Sequence, residues 1–142
     1  MALPEPVLSA EALSGILVSA FGEGVPRVDE VTDDGVVIRL PISERNVRPG
    51  GTVSGPTMMM LADTAAWVAL MSRAGAELLA VTTSLQIDFL RKPQIADLVA
   101  RARIVKFGSV LVVSTVDLHS ANSHDLVATA SVTYSRPRQP SA

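Results

Sequence analysis

The stretch Gly50 to Met71, GGTVSGPTMMMLADTAAWVALM, limits the possible folds more than any other part of the chain. It reads as a glycine turn running into an almost wholly apolar helix. A helix from Pro56 to about Ala74 would be roughly 28 Å long, close to the thickness of a small domain. Because it is apolar on nearly every side, it belongs inside the molecule, and something else in the chain must wrap around it. From Pro49 to Ser72 the only ionisable side chain is Asp63, in the middle of the run. A carboxylate placed there must be paired or must do chemistry.

The rest of the chain supplies the wrapping. Leu8 to Phe21 spaces Leu8, Leu13, Ile16, Leu17 and Phe21 along one face and predicts a short N-terminal helix over 8–21, ended by Gly22-Glu23-Gly24. Arg27 to Ile42 alternates around an Asp-Asp-Gly turn and reads as a hairpin or one long strand. Gly75 stops the central helix. Strands are predicted over 80–90, 97–106, 109–119 and 125–135, the first alternating Thr83, Leu85, Ile87 and Phe89 against Thr82, Ser84, Gln86 and Asp88. The third, SVLVVSTVDL, is apolar on both faces for much of its length and suits a sheet covered on both sides, in part by another subunit. Short links imply antiparallel neighbours, and the tail from Arg136 is too polar and proline-rich to pack. The expectation is one α+β domain over 1–142: an antiparallel sheet curled around one long central helix.

Composition narrows the function. Hydrophobic residues form 48% of the chain and charged ones 18%, more apolar surface than a 142-residue monomer hides, which favours an oligomer. The absence of cysteine excludes a disulfide framework, a thiol nucleophile and a thiolate metal site. Residues 1–25 carry no Lys or Arg, so no secretory start is expected and a cytoplasmic location is. The net charge of −2 argues against nucleic-acid binding. That charge is uneven: residues 1–44 hold eight acids and two bases, and residues 45–142 six acids and ten bases, so the half with the helix can attract a small anion.

Ser54-Gly55-Pro56 is a strong helix start, and unpaired N–H groups there suit an anion or a developing oxyanion, or simply an ordinary cap. Asp63 suits a general base or nucleophile, or a structural carboxylate bonded to Thr82, Thr83 or an arginine. Met58 to Met60 read as core, with Met59 and Met60 near enough to Asp63 to line an acyl pocket, and Trp67 shares that ambiguity. His119 and His124 have no metal-ligand spacing and read as surface residues, so no metal is expected. No G-x-S-x-G or phosphate-loop pattern is present.

Asn46, the glycine-rich turn, Gly55 at the helix start, LADTA at 61–65 and VTTSLQIDFLRKP at 81–93 together resemble the hotdog-fold acyl-CoA thioesterases of the phenylacetate-degradation type, over about residues 34–135. The resemblance implies a homodimer with one continuous sheet, often paired into tetramers, that hydrolyses acyl-CoA without a metal or cofactor and engages neither membrane nor nucleic acid. It implies catalytic roles for Asp63 as base or nucleophile, for the Gly55 N–H on the thioester carbonyl, for Thr82 in orienting water, and for Asn46. Substrate would contact Ser54, Met59, Met60, Trp67, Arg91 and Lys92, the last two with Arg101, Arg103 and Lys106 as phosphate partners or plain solvated charges. The family's His-Gly-Gly is here Ser54-Gly55-Pro56. Competing readings are a non-catalytic acyl-CoA or small-ligand binding protein and a hotdog hydratase or dehydratase, which wants an Asp–His pair.

Overall fold

A computed structural model describes residues 2–138. Helix α1 runs Ala10–Phe21, two residues shorter than expected because Ser9 takes the cap position, its hydroxyl accepting from the Ala12 N–H at 3.1 Å. Leu13 and Leu17, one turn apart, are fully buried, and the helix stops at Gly22 with a φ of 85°. Of the two readings for the next segment, the hairpin forms: β1 (Arg27–Val31) pairs with β2 (Gly35–Leu40). A two-residue ladder, β3 (Val47–Arg48) with β4 (Thr52–Val53), closes over Gly50 and Gly51, whose φ values of 100° and 76° are left-handed. Helix α2 then runs Gly55–Ala74, followed by β5 (Val81–Phe89), β6 (Leu98–Phe107), β7 (Leu111–Ser120) and β8 (Leu126–Ser135).

The six long strands form one antiparallel sheet in the order β1-β2-β6-β7-β8-β5. Strands β6, β7 and β8 pair consecutively as expected, but β5 does not pair with β6. It crosses to the far edge and pairs with β8. The link over residues 90–97 allows this. Three strand spacings are about 14 Å, and eight extended residues reach about 26 Å.

Helix α2 lies across β2, β6, β7 and β8. Ala62, Ala65, Ala66 and Ala69 are buried in this packing beside Leu61, Val68, Leu70 and Met71. Opposite them stand Val36 and Ile38 of β2, Ala100 and Ala102 of β6, Val116 and Leu118 of β7, and Ala130 and Val132 of β8. The outer row of β7, Val113, Thr115, Asp117 and His119, is only half-buried in this chain. One stripe of α2 escapes the sheet: Pro56, Met59 and Met60 are exposed and Asp63 and Thr64 half-exposed. These positions repeat at three- and four-residue intervals, so they form one face of the first turns.

The clean alternation expected for β5 fails at its start. Thr82 pairs with Tyr134 but Ser84 with Thr133, so Thr83 is the extra residue of a β-bulge. Residues directly opposite in an antiparallel pair share a face, and Tyr134 faces the helix. The bulge therefore turns Thr82 inward, as well as Leu85 and Ile87.

Arg136 also departs from expectation. Its guanidinium forms a two-pronged ion pair with Glu77, the side chains 16% and 12% exposed, and lies 5.0 Å over the Phe107 ring. The Glu77 contact raises its pKa despite the opposing effect of burial. The expected unpacked tail thus starts later than residue 136, and its last part, residues 139–142, lies outside the described residues. Among the described residues no helix is long and apolar enough to cross a membrane.

Two glycines give opposite predictions. A Cβ on Gly35 would come 1.8 Å from the Ala102 carbonyl oxygen of the adjacent strand. Gly35→Ala should therefore lower unfolding free energy by about 3 kcal/mol or more, as overpacking of a backbone contact does. Gly15, exposed in α1, would meet nothing within 4 Å. Gly15→Ala should stabilise by about 0.5–1 kcal/mol. Urea denaturation of both variants checks the pair.

Candidate functional site

The start of α2 is held by its own loop. The Ser54 hydroxyl accepts from the Thr57 N–H at 3.3 Å and lies 2.9 Å from the Thr57 hydroxyl. Asn46 locks this cap from outside. Its carbonyl accepts from the Ser54 N–H at 2.8 Å, its Nδ2 donates to Thr57 Oγ1 at 3.3 Å, and its Oδ1 accepts from the Ser43 N–H at 2.9 Å. Pro56 has no N–H, and among the described residues no acceptor takes the Gly55 N–H. That amide is an unpaired donor at the positive end of a 20-residue helix.

Beside it opens a cavity of about 360 Å³, lined by Gly55, Met58, Phe89, Arg91, Lys92 and Arg48 among others. Its walls are apolar and its rim carries three cations. Arg91 is partly engaged, its Nε donating to the Leu126 carbonyl at 3.0 Å.

The carboxylate lies elsewhere on the same helix. Asp63 Oδ1 accepts from the Thr82 hydroxyl at 2.6 Å and from the Tyr134 hydroxyl at 3.0 Å, and the same tyrosine oxygen is 3.1 Å from the Asp63 carbonyl. No hydrogen bond among the described residues reaches Oδ2. Burial holds the Tyr134 hydroxyl far above the ordinary tyrosine range, Thr82 offsets part of that, and the Asp63 charge adds to it. At neutral pH Tyr134 is therefore a phenol, a permanent donor. Asp63 itself is half-exposed rather than enclosed, because it sits on the stripe of α2 that the sheet does not cover.

The expected site residues thus fall into separate groups. Asp63 and Thr82 come together, with Met59 and Met60 on the same stripe, 41% and 39% exposed. Asn46, Ser54 and Gly55 come together at the helix start, with Arg91 and Lys92 across the cavity. Gly55 and Asp63 are eight residues apart, or about 12 Å along one helix. Trp67 joins neither group. It is buried, its indole N–H donates to the Glu77 carbonyl at 3.1 Å, and Phe21 meets its ring edge-on at 5.9 Å. Arg101, Arg103 and Lys106 are exposed on β6, away from the lining of that cavity.

His119 is half-buried rather than at the surface, its Nδ1 2.8 Å from the Ser120 and Ser123 carbonyls, so this nitrogen carries the proton and holds the turn. Sequence reasoning missed Tyr134, Arg48, Met58 and Phe89. Tyr134 is the only tyrosine, and a pairing of the strand after α2 with the last strand would have pointed to it.

A family model described as the thioesterase superfamily matches residues 50–127. Of the solved structures, a Silicibacter protein given the provisional name thioesterase is 39% identical, with a TM-score of 0.87 over 94% of this chain and 95% of that one. Zebrafish thioesterase superfamily member 2 shares the fold at 22% identity, with a TM-score of 0.79 over 92% of this chain and 99% of that one. A thioesterase from Haemophilus influenzae does so at 20% identity, with a TM-score of 0.77 over 95% and 94%. No curated protein matches the sequence. The chain belongs to the thioesterase superfamily, and its six-stranded antiparallel sheet around one long helix is the α+β hotdog fold.

The helix cap can be tested apart from any activity. Ser54→Ala removes the side-chain acceptor of the Thr57 N–H and should cost about 1 kcal/mol. A urea titration should show a lower midpoint with an unchanged slope.

Proposed function

We propose that the protein hydrolyses acyl-CoA thioesters, as a member of the phenylacetate-degradation type, with Asp63 as the working carboxylate. The observation that carries this reading is a half-exposed Asp63, the one mid-helix charge of α2, held by two hydroxyl donors. Both donors meet Oδ1, which leaves Oδ2 with no hydrogen bond among the described residues and able to take a proton from water. Among the described residues Asp63 has no ion pair. Asp63 takes a proton from water as that water attacks the thioester carbonyl carbon. Thr82, which donates to Asp63, still has lone pairs to orient the water. The carbonyl oxygen gains negative charge against the free Gly55 N–H. The C–S bond then breaks, the proton passes to the departing sulfur, and a carboxylic acid and the CoA thiol leave. Direct attack by the carboxylate, followed by hydrolysis of the anhydride, uses the same groups.

The distance from Gly55 to Asp63 is too long for one carbonyl, which supports a homodimer with shared sites. The outer edge of β5 is an unpaired strand flanked by exposed Val81, Phe89 and Leu90 and by Met59 and Met60, a surface that calls for a cover. Two copies of β5 running antiparallel would set the Thr82 end of one strand beside the Phe89 end of the other. Gly55 lies against Phe89, at 3.5 Å from a Cβ built on the glycine. Such pairing brings Asp63 of one protomer toward Gly55 of the partner subunit. The half-buried outer face of β7 is then available for a tetramer. Arg48, Arg91 and Lys92 suit the phosphates of CoA, and the acyl end suits Met58 and Phe89 of the same cavity together with the exposed Met59 and Met60 beside Asp63. A chain without cysteine fits a reducing, cytoplasmic setting.

Asp63→Asn should lower kcat on acyl-CoAs by about 10³-fold, the scale of a lost general base. Turnover at the wild-type rate would sink the mechanism, and binding without turnover in the wild type would make the protein a carrier. Sedimentation should give at least twice the chain mass, and a monomer would refute the shared site. Arg91→Ala with Lys92→Ala should raise KM about tenfold with kcat little changed, as expected for uniform binding.

A further inference from the structure

We infer that Tyr134 is a positioning residue for Asp63: with Thr82 it fixes carboxylate oxygen Oδ1 and leaves Oδ2 as the oxygen that reacts. This rests on Asp63 being the working carboxylate. Both donors converge on one oxygen, at 2.6 Å from Thr82 and 3.0 Å from Tyr134. At any moment one oxygen of the carboxylate accepts both hydroxyls and the other is left clear of them, and a half-turn of the group only exchanges which is which. The tyrosine hydroxyl is also 3.1 Å from the Asp63 backbone carbonyl. Its proton thus faces two oxygens of the same residue and ties the carboxylate to its own helical turn.

Among the described residues the Tyr134 hydroxyl donates only to Asp63, at its side chain and at its backbone carbonyl. Tyr134 is 6% exposed and ends an inward row of Ala128, Ala130 and Val132. Phenylalanine would fill the same space without burying a polar atom. The bulge at Thr83 serves the same end, since it turns Thr82 inward beside Tyr134. A carboxylate on an exposed stripe of methionines would otherwise sample several rotamers. Holding one oxygen from the sheet side points the other outward, toward the stripe where substrate must arrive.

The test follows thiol release from phenylacetyl-CoA and hexanoyl-CoA by the full chain. Tyr134→Phe should lower kcat by about 10–100-fold, the scale of a misplaced reacting group, with KM changed less than about twofold. Thr82→Val should do the same, and Thr82→Ser, which keeps the hydroxyl, should recover most of that loss. In an Asp63→Asn background Tyr134→Phe should cost nothing further. Wild-type kcat in a folded Tyr134→Phe, or a loss that persists undiminished in the Asp63→Asn background, would overturn the proposal. If Tyr134→Phe does not fold, Thr82→Val at wild-type kcat overturns it equally. Asp63→Asn separates the two levels. An inactive Asp63→Asn beside a fully active Tyr134→Phe removes only the positioning role, whereas wild-type turnover by Asp63→Asn removes Asp63 as the working carboxylate as well, and no thiol release by the wild type removes the hydrolase reading.

Discussion

Burying α2 is the constraint from which the other features follow. The helix carries 20 residues, and its alanines at 62, 65, 66 and 69 let the backbone approach the sheet closely. A flat sheet could not cover so apolar a cylinder, so the strands must twist and curl over it. Curling leaves one stripe uncovered, and the chain sets its one mid-helix charge there. An Asp turned toward Val116 and Leu118 would lose its hydration with nothing to replace it. Turned to the edge, it meets two hydroxyls from adjoining strands and keeps one oxygen in solvent. Fold and chemistry are thus the same choice, made by the angular position of residue 63 on the helix.

Much of this was legible in the sequence. The apolar run with Asp63, the helix start at Ser54-Gly55-Pro56 and the four alternating strands are period signals, and the structure bears them out within one or two residues at most ends. Other features were hidden for definite reasons. Strict alternation assigns Thr82 to the outer row, and only the pairing of β5 with β8 reveals the bulge that brings it in. Tyr134 reads as core by the same alternation, which is correct for its ring and silent about its hydroxyl. The crossing of β5 to the far edge could not be read from a link of eight residues that suits either neighbour. Trp67 lies one turn beyond Asp63 and reads equally as core or pocket wall; in the fold α1 and the Glu77 carbonyl cover it.

The polar groups at the helix start divide the work. Ser54, Thr57 and Asn46 satisfy one another, while the Gly55 N–H is left over. The Ser54 hydroxyl closes the turn on Thr57, and Gly55 lies opposite the Phe89 ring. The apolar wall of the neighbouring cavity therefore begins directly at the free amide.

Arg73 shows what the other end of α2 is for. It is 4% exposed, and its guanidinium donates to the Thr32 and Gly35 carbonyls and the Ser72 hydroxyl, with no partner for Nε among the described residues. Burial lowers its pKa, the negative charges of Asp34, Glu5 and Asp33 opposing that shift. The cation sits in the last turn, where the carbonyl end of the helix is negative. One terminus is thereby quenched from within, and the other is not. The helix behaves as a lopsided electrode, with its field discharged at Arg73 and open at Gly55. Of the two ends of α2, the one at Gly55 is therefore the one that still attracts a negative charge.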